Sequence, residues 1–334
     1  MGRPTVSVVI PTLNEELHLA RTLESVASQT YTEVVETIVA DGGSTDRTRE
    51  IARGFDKVRV IDNPERIQAT GLNRALAVAT ADVVVRVDGH CVIAPDYIER
   101  CVDALEGTGA AMVGGGMHPV ADAEGTGSLP RSIATAMESR VGAGPARFHV
   151  GGAAGWVDTV YLGAYWRESA LEVGGYSPTV AVNEDAEFAI RLKPRGGIWF
   201  DPDIRSTYSP RQTLSALAQQ FYRYGRGRAT TVVLHPRQVR LRQLAAPMLV
   251  LGLLSRRRRT VAIAYGMVVA GRAACEASRD PVAAPALALA LPVMHLSWGV
   301  GFLQGIATAA GARVAPQNRN HGQLISQSHA ASCR

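Results

Sequence analysis

Val6-Ser7-Val8-Val9-Ile10-Pro11-Thr12-Leu13-Asn14-Glu15-Glu16 starts as a β-branched apolar run, meets a proline and turns polar at once. Proline cannot donate to a ladder, so residues 6–10 read as a strand with Asn14 and Glu15 at its C-terminal rim. Helical spacing follows over residues 15–28, with Leu19, Leu23, Val26 and Ala27 on one face. The alternation then repeats. Residues 34–40, 58–61, 83–87 and 110–114 read as strands. Residues 67–79 and 95–106 read as helices, and Ser44 or Thr45 can cap another through Ile51. Apolar strands alternating with helices predict an α/β chain whose mostly parallel, doubly wound sheet is covered on both faces.

Further along, residues 116–155 are rich in Gly, Ala and Pro and are expected to be irregular. Residues 161–165 and 198–200 read as strands, with a helix at 186–192 between them. Residues 214–224 read as a helix ended by Gly225 and Gly227, which would let the stretch move as a lid.

Three carboxylates close apolar runs. Asp41 ends Thr37-Ile38-Val39-Ala40-Asp41 before Gly42-Gly43-Ser44, Asp88 ends Val83-Val84-Val85-Arg86-Val87-Asp88, and Asp185 closes Asn183-Glu184-Asp185. Strand ends of an open α/β sheet form the rim where ligands bind. No G-x-G-x-x-G follows the first strand, which argues against a dinucleotide site.

These stretches together resemble family 2 glycosyltransferases, which have the GT-A fold. The likeness runs over about residues 5–230. It includes Asn63 to Ala75, with Asn73 in it, and Arg86-Val87-Asp88-Gly89-His90 at the DxD place. Tyr161 to Arg167 and Val173-Gly174-Gly175-Tyr176 resemble the acceptor-side segment. Asn183-Glu184-Asp185-Ala186-Glu187 resembles the ED motif, and Gln220-Phe221-Tyr222-Arg223-Tyr224 the QxxRW motif with Tyr for Trp. The variant motifs and the apolar tail are most similar to the ExoA-type succinoglycan biosynthesis glucosyltransferases.

The resemblance implies a nucleotide-sugar site built from Pro11, Thr12, Asn14, Glu15, Asp41, Gly43, Ser44, Asn73, Asp88, Gln220, Arg223, Tyr224 and Arg226. It implies a divalent cation, Mn²⁺ or Mg²⁺, on Asp88 and His90, where His90 replaces the more usual second Asp; an imidazole suits Mn²⁺ better than Mg²⁺. Asp185, with Glu184 beside it, would be the base of an inverting transfer. Arg223, Arg226 and Arg228 suit a diphosphate, on the leaving nucleotide or a lipid acceptor. The implied reaction moves a hexose, as from UDP-glucose, onto a lipid-linked saccharide in exopolysaccharide or cell-surface glycan synthesis. Two rivals are a polyprenyl-phosphate glycosyltransferase and a catalytically silent nucleotide-sugar binding protein. Trp156, Tyr161, Tyr165, Trp166 and Trp199 could stack on sugars or equally be core, so none is assigned, and His235 reads as a distal metal ligand or, as a lone His before Pro236, as incidental.

Charge is placed unevenly. Residues 213–334 carry 15 basic residues against Glu276 and Asp280, within a chain of net charge +5. Residues 281–312 contain no Asp, Glu, Lys or Arg. Residues 244–254 and 260–271, each shorter than a span needs, flank Arg256-Arg257-Arg258-Arg259. This fits an interfacial or re-entrant hairpin with its arginines on anionic headgroups. The expected domains are a catalytic 1–235, a membrane-associated helical 236–312 and a polar, disordered 313–334. No apolar stretch precedes Val6, so the catalytic part is expected on the cytoplasmic side. The arginines lie among apolar segments and not among exposed aromatics, which argues against a nucleic-acid partner. Cys91, Cys101, Cys275 and Cys333 lack metal or CxxC spacing and read as structural thiols.

Overall fold

The valine-rich run that opens the chain is the sheet's central parallel strand, buried along nearly its whole length. The structure is a computed structural model and describes residues 2–120 and 127–312. Among them the strands are β1 (Val6–Thr12), β2 (Val34–Asp41), β3 (Val58–Asp62), β4 (Val83–Arg86), β5 (Cys91–Ile93), β6 (Met112–Pro119), β7 (Gly155–Val157), β8 (Tyr161–Trp166) and β9 (Ile198–Tyr208). They form one sheet ordered β3-β2-β1-β4-β8-β6-β9-β5, with β7 on β9. The first four are mutually parallel. β8 runs against β4 and β6, β6 and β9 are parallel, and β5 and β7 run against β9. The sheet is therefore mostly parallel, as expected, with a mixed second half.

Alternate residues of β1 feed two cores. Val6, Val8 and Ile10 pack with Leu19, Leu23, Ile98 and Leu105 on one face. Val9 packs with Leu72, Leu76, Phe188 and Leu192 on the other. The period of two along the strand thus becomes two helical layers.

Two expectations change. Residues 116–155 are not simply irregular: they hold the end of β6, helices Ser128–Met137 and Arg147–Val150, and β7; residues 121–126 lie outside the described residues. Ile133, Ala136 and Met137 give the first helix an apolar stripe that packs on Leu287, Leu291 and Met294. The helix expected to stop at Tyr224 runs Leu214–Leu234, through both glycines. A Cβ at Gly225 would overlap the Trp298 carbonyl, and one at Gly227 the Val182 carbonyl. These glycines serve close backbone packing, which offsets their entropic cost of about 1 kcal/mol each in a helix. They do not form a lid hinge.

Three further helices follow: Ala245–Leu254, Arg258–Ala277 and Ala284–Ala312. The four-arginine run lies at the turn between the first two and the start of the second. Among the described residues, one helix, over Ala284–Ala309, is long and apolar enough to cross a membrane. Residues 313–334, including Cys333, lie outside the described residues.

Candidate active site

The C-terminal ends of β1, β2 and β4 share one edge of the sheet. Thr12 is level with Asp41, and Asp41 with Asp62. Asp41 is fully buried. Its Oδ2 accepts the N–H groups of Gly43 and Ser44 and a bond from Arg49 Nη1, each at 3.1 Å. Among the described residues its Oδ1 has no partner, and neither does the buried Thr12 Oγ1. An unmet buried polar atom costs on the order of 1–3 kcal/mol, so these two oxygens mark where a ligand's N–H or hydroxyl would bind. Asn14, with φ 57°, ties the loops together. Its N–H donates to Ser44 Oγ and its Oδ1 accepts the Thr45 N–H, both at 2.9 Å. Asn14 and Ser44 therefore shape the rim by bonding to each other's loop.

Asp88 joins this edge through Arg86, a buried cation at the end of β4. Arg86 Nε donates to Asp88 Oδ1 at 2.9 Å, and Nη2 reaches Asp88 Oδ2 at 3.4 Å and Glu184 Oε1 at 3.0 Å. Gln68 adds a bond to Asp88 Oδ1 at 3.3 Å. Burial would pull the guanidinium pKa down, but Asp88 and Glu184 more than offset it and hold it well above its ordinary value. Glu184 goes the other way: burial outweighs Arg86 and, with Asp185 adding, pushes its carboxyl up to about 7. The two shifts are compatible because one guanidinium is shared and Asp88 takes more of it.

Glu184 and Asp185 open the helix Glu184–Leu192, after Asn183 in the left-handed conformation. Asp185 is partly exposed; its Oδ1 accepts the Ala186 N–H at 2.7 Å, which leaves Oδ2 for a substrate.

His90 lies beside Glu15, with Nδ1 at 3.0 Å from Glu15 Oε1. Burial pulls the imidazole pKa down, but the bond and charge of Glu15 prevail and raise it. With Nδ1 engaged, Nε2 remains for a cation, and Asp88 Oδ2 carries only the long contact. A carboxylate oxygen and an imidazole nitrogen fit Mn²⁺ better than Mg²⁺. Among the described residues no group of three or more His, Cys, Asp or Glu could enclose an ion, so phosphate oxygens would have to complete the shell.

Residues 7–170 match the family described as Glycosyl transferase family 2. The succinoglycan biosynthesis protein ExoA of Rhizobium meliloti (strain 1021) is 34% identical over 88% of this chain and 93% of its own length. The chain belongs to glycosyltransferase family 2. It is also 24% identical, over 66% of its length and 71% of the relative, to a Methanococcus voltae protein. That relative is named dolichyl N-acetyl-alpha-D-glucosaminyl phosphate 3-beta-D-2,3-diacetamido-2,3-dideoxy-beta-D-glucuronosyltransferase. The mannosyltransferase PcManGT from Pyrobaculum calidifontis, solved with GDP-Man and Mn²⁺, aligns with a TM-score of 0.53 at 19% identity. The alignment covers 99% of this chain and 81% of that one, and shows a shared fold.

Other residues of this family 2 glycosyltransferase fall where sequence reading did not place them. Asn73 spends both ends of its amide on the Tyr176 backbone, at 2.7 Å each, so it fixes the floor of the site. On the Leu214–Leu234 helix, Gln220 Nε2 donates to Tyr224 Oη at 2.8 Å, and Asn183 Nδ2 donates to the Tyr224 carbonyl at 3.0 Å. Arg223 and Arg226 face solvent. Arg228, about two turns beyond Gln220, is a second cation near Asp185 besides Arg86; burial lowers its pKa, and Asp185 only partly opposes this. Arg211, just before the helix, bears on both His90 and Tyr224. Sequence reading gave Arg86 and Arg211 no role. The signal for Arg86 was present, since a charged residue inside an otherwise apolar strand needs a buried counter-charge.

His235 has a local explanation: its Nε2 lies 3.0 Å from Glu187 Oε1, and Glu187 also pairs with Arg191. Trp156 stacks edge-on against Trp199 at 5.1 Å, beside Asp158 and Lys193. Trp199 and Tyr208 sit at opposite ends of β9, roughly 25–30 Å apart in an extended strand. Tyr208 is level with Cys91, next to His90, so the tryptophan pair stands at the far edge from the site.

Proposed function

We propose that this glycosyltransferase transfers a hexose, with glucose from UDP-glucose as the leading donor, to a lipid-linked saccharide with inversion at the anomeric carbon. The observation that carries this reading is the Asp88–Arg86–Glu184 chain, which brings the donor-side and acceptor-side carboxylates to one edge of the sheet. Asp41 Oδ1 takes an N–H of the base or a ribose hydroxyl. Asp185 accepts the proton of the acceptor hydroxyl as its oxygen attacks the anomeric carbon, while the bond to the diphosphate breaks on the opposite side. A single base and direct displacement give inversion. Asp88 and His90 would hold a divalent cation, as Mn²⁺ accompanies GDP-Man in the structural neighbour; when bound it offsets charge developing on the diphosphate. Arg228 and Arg211 add fixed positive charge at the same edge.

The lipid acceptor is supported by the C-terminal third. Met248, Leu251, Leu254, Ile263, Met267 and Val268 are exposed around the arginine-bearing turn. A soluble surface rarely leaves so many large apolar side chains together, and a basic rim on such a patch suits an anionic bilayer. The Methanococcus voltae relative is itself named for a dolichyl-phosphate-linked sugar, and ExoA for polysaccharide synthesis. We place the protein at the cytoplasmic face of the membrane, in exopolysaccharide or cell-surface glycan synthesis.

The test uses the full chain in vesicles with Mn²⁺, a panel of nucleotide sugars and a polyprenyl-diphosphate sugar. Wild type should transfer from one donor, and Asp185→Asn should bind UDP normally while kcat falls by roughly 10²–10⁴-fold, the usual share of a general base. No transfer or donor hydrolysis with any donor would sink the reading. Transfer to bare polyprenyl phosphate in its place would favour a lipid-phosphate sugar product.

A further inference from the structure

We propose that Arg86 is a positioning residue that couples the two halves of the site by competing with the divalent cation for Asp88. This inference rests on the reading that Asp88 holds the metal. Arg86 is only 4% exposed, yet it sits at the end of β4 amid side chains that sheet packing alone would make apolar. It divides one edge of its guanidinium between Asp88 and Glu184, and its Nη1 has no partner among the described residues. The carbon of the guanidinium lies 5.9 Å from the centre of the Tyr176 ring, and Asn73 clamps the Tyr176 backbone. The group is therefore held from the acceptor side as well as from β4.

A buried cation with one unmet donor between two carboxylates has a second arrangement within reach. A divalent ion at Asp88 repels the guanidinium and takes up the carboxylate charge that bound it. Arg86 then interacts more fully with Glu184, next to the base Asp185, and donor loading alters the acceptor side. The cost is weaker metal binding, because one unit of positive charge already stands a few ångströms from the ion.

Two opposed effects follow from removing the charge. Arg86→Met should bind Mn²⁺, read by electron paramagnetic resonance in the presence of UDP, more tightly by roughly tenfold, the order expected for deleting a nearby like charge in a partly desolvated site. Its kcat should fall by roughly 10–100-fold, with a smaller change in donor KM. Arg86→Lys, a charge without the fork, should keep weak Mn²⁺ binding yet lose kcat. Orphaned carboxylates could unfold Arg86→Met, so Arg86→Met with Glu184→Gln provides a second folded variant for the Mn²⁺ titration. A folded variant that lacks the charge, Arg86→Met or its double variant, with unchanged or weaker Mn²⁺ affinity overturns the proposal, as does an unchanged kcat in Arg86→Met. If wild type itself binds no Mn²⁺ with UDP present, the metal reading of Asp88 fails first, and this proposal falls with it.

Discussion

Glu184 carries a prediction of its own at the scale of single residues. Burial raises its carboxyl from 4.5 to about 7, with Arg86 opposing and Asp185 adding. Below about pH 4.5 Glu184 is protonated in both the folded and unfolded chain, so it costs folding nothing there. Between about 4.5 and 7 the unfolded chain ionises first, and folding loses stability progressively as pH rises. Above 7 the loss is complete. Glu184→Gln cannot ionise, so its melting temperature should gain on wild type at pH 8 relative to pH 5. An equal offset at both pH values would contradict this. Asp41 and Asp88 were legible in sequence because each closes an apolar strand, and strand ends make the rim; Asp185, expected at a strand end, instead opens a helix and was legible through the ED motif. The cation joining Asp88 to Glu184 was not. Arg86 and Glu184 are 98 positions apart in the chain, and only the packing of the Glu184–Leu192 helix on the sheet brings them together. The bonding of Asn73 was hidden for the same reason: its partner is the backbone of Tyr176, which no local pattern announces.

At the scale of elements, the glycines that suggested a helix end instead mark a helix crossing. Gly225 of the Leu214–Leu234 helix meets the Trp298 carbonyl, and Gly301 of the Ala284–Ala312 helix meets the Tyr222 carbonyl. Backbone approaches this close leave no room for a Cβ. Gly225→Ala and Gly301→Ala should each destabilise the protein by about 1–3 kcal/mol, the usual cost of overpacking. The same substitution at exposed Gly266, where a Cβ meets nothing within 4 Å, should be neutral or slightly stabilising through helix propensity. Chemical denaturation of the three variants checks the contrast, and equal effects at Gly225 and Gly266 would refute it. Strand and helix alternation over the first 115 residues was readable because each element buries a face of fixed period. The long helix was not, because local propensity penalises glycine and only a tertiary partner outweighs that penalty.

For the whole molecule, the crossing means that the apolar C-terminal helix is fastened to the helix carrying Gln220, Tyr224 and Arg228. Under the proposed membrane association, lipid contact and the reaction site would share this seam, so a lipid substrate would be met at a fixed height. The charge asymmetry behind this idea can be counted directly from sequence; the seam cannot, since it depends on which long helix packs where. Leu254 is 79% exposed and Met267 65%, on helices that meet at the arginine turn, so apolar insertion and headgroup attraction should be separable. Replacing Arg256, Arg257, Arg258 and Arg259 with glutamine removes roughly 1 kcal/mol of attraction per residue at an anionic surface. Four such losses predict a fall of roughly 10²–10³-fold in partitioning onto vesicles rich in anionic lipid. Binding to neutral vesicles should hardly change, because the apolar face is intact. Raising the salt should weaken wild type toward the variant on anionic vesicles, since exposed charges are screened within about 10 Å at 0.1 M. Sedimentation with the two vesicle types at two salt concentrations decides it, and a variant weakened equally on both would show that the arginines stabilise the hairpin without meeting the headgroups.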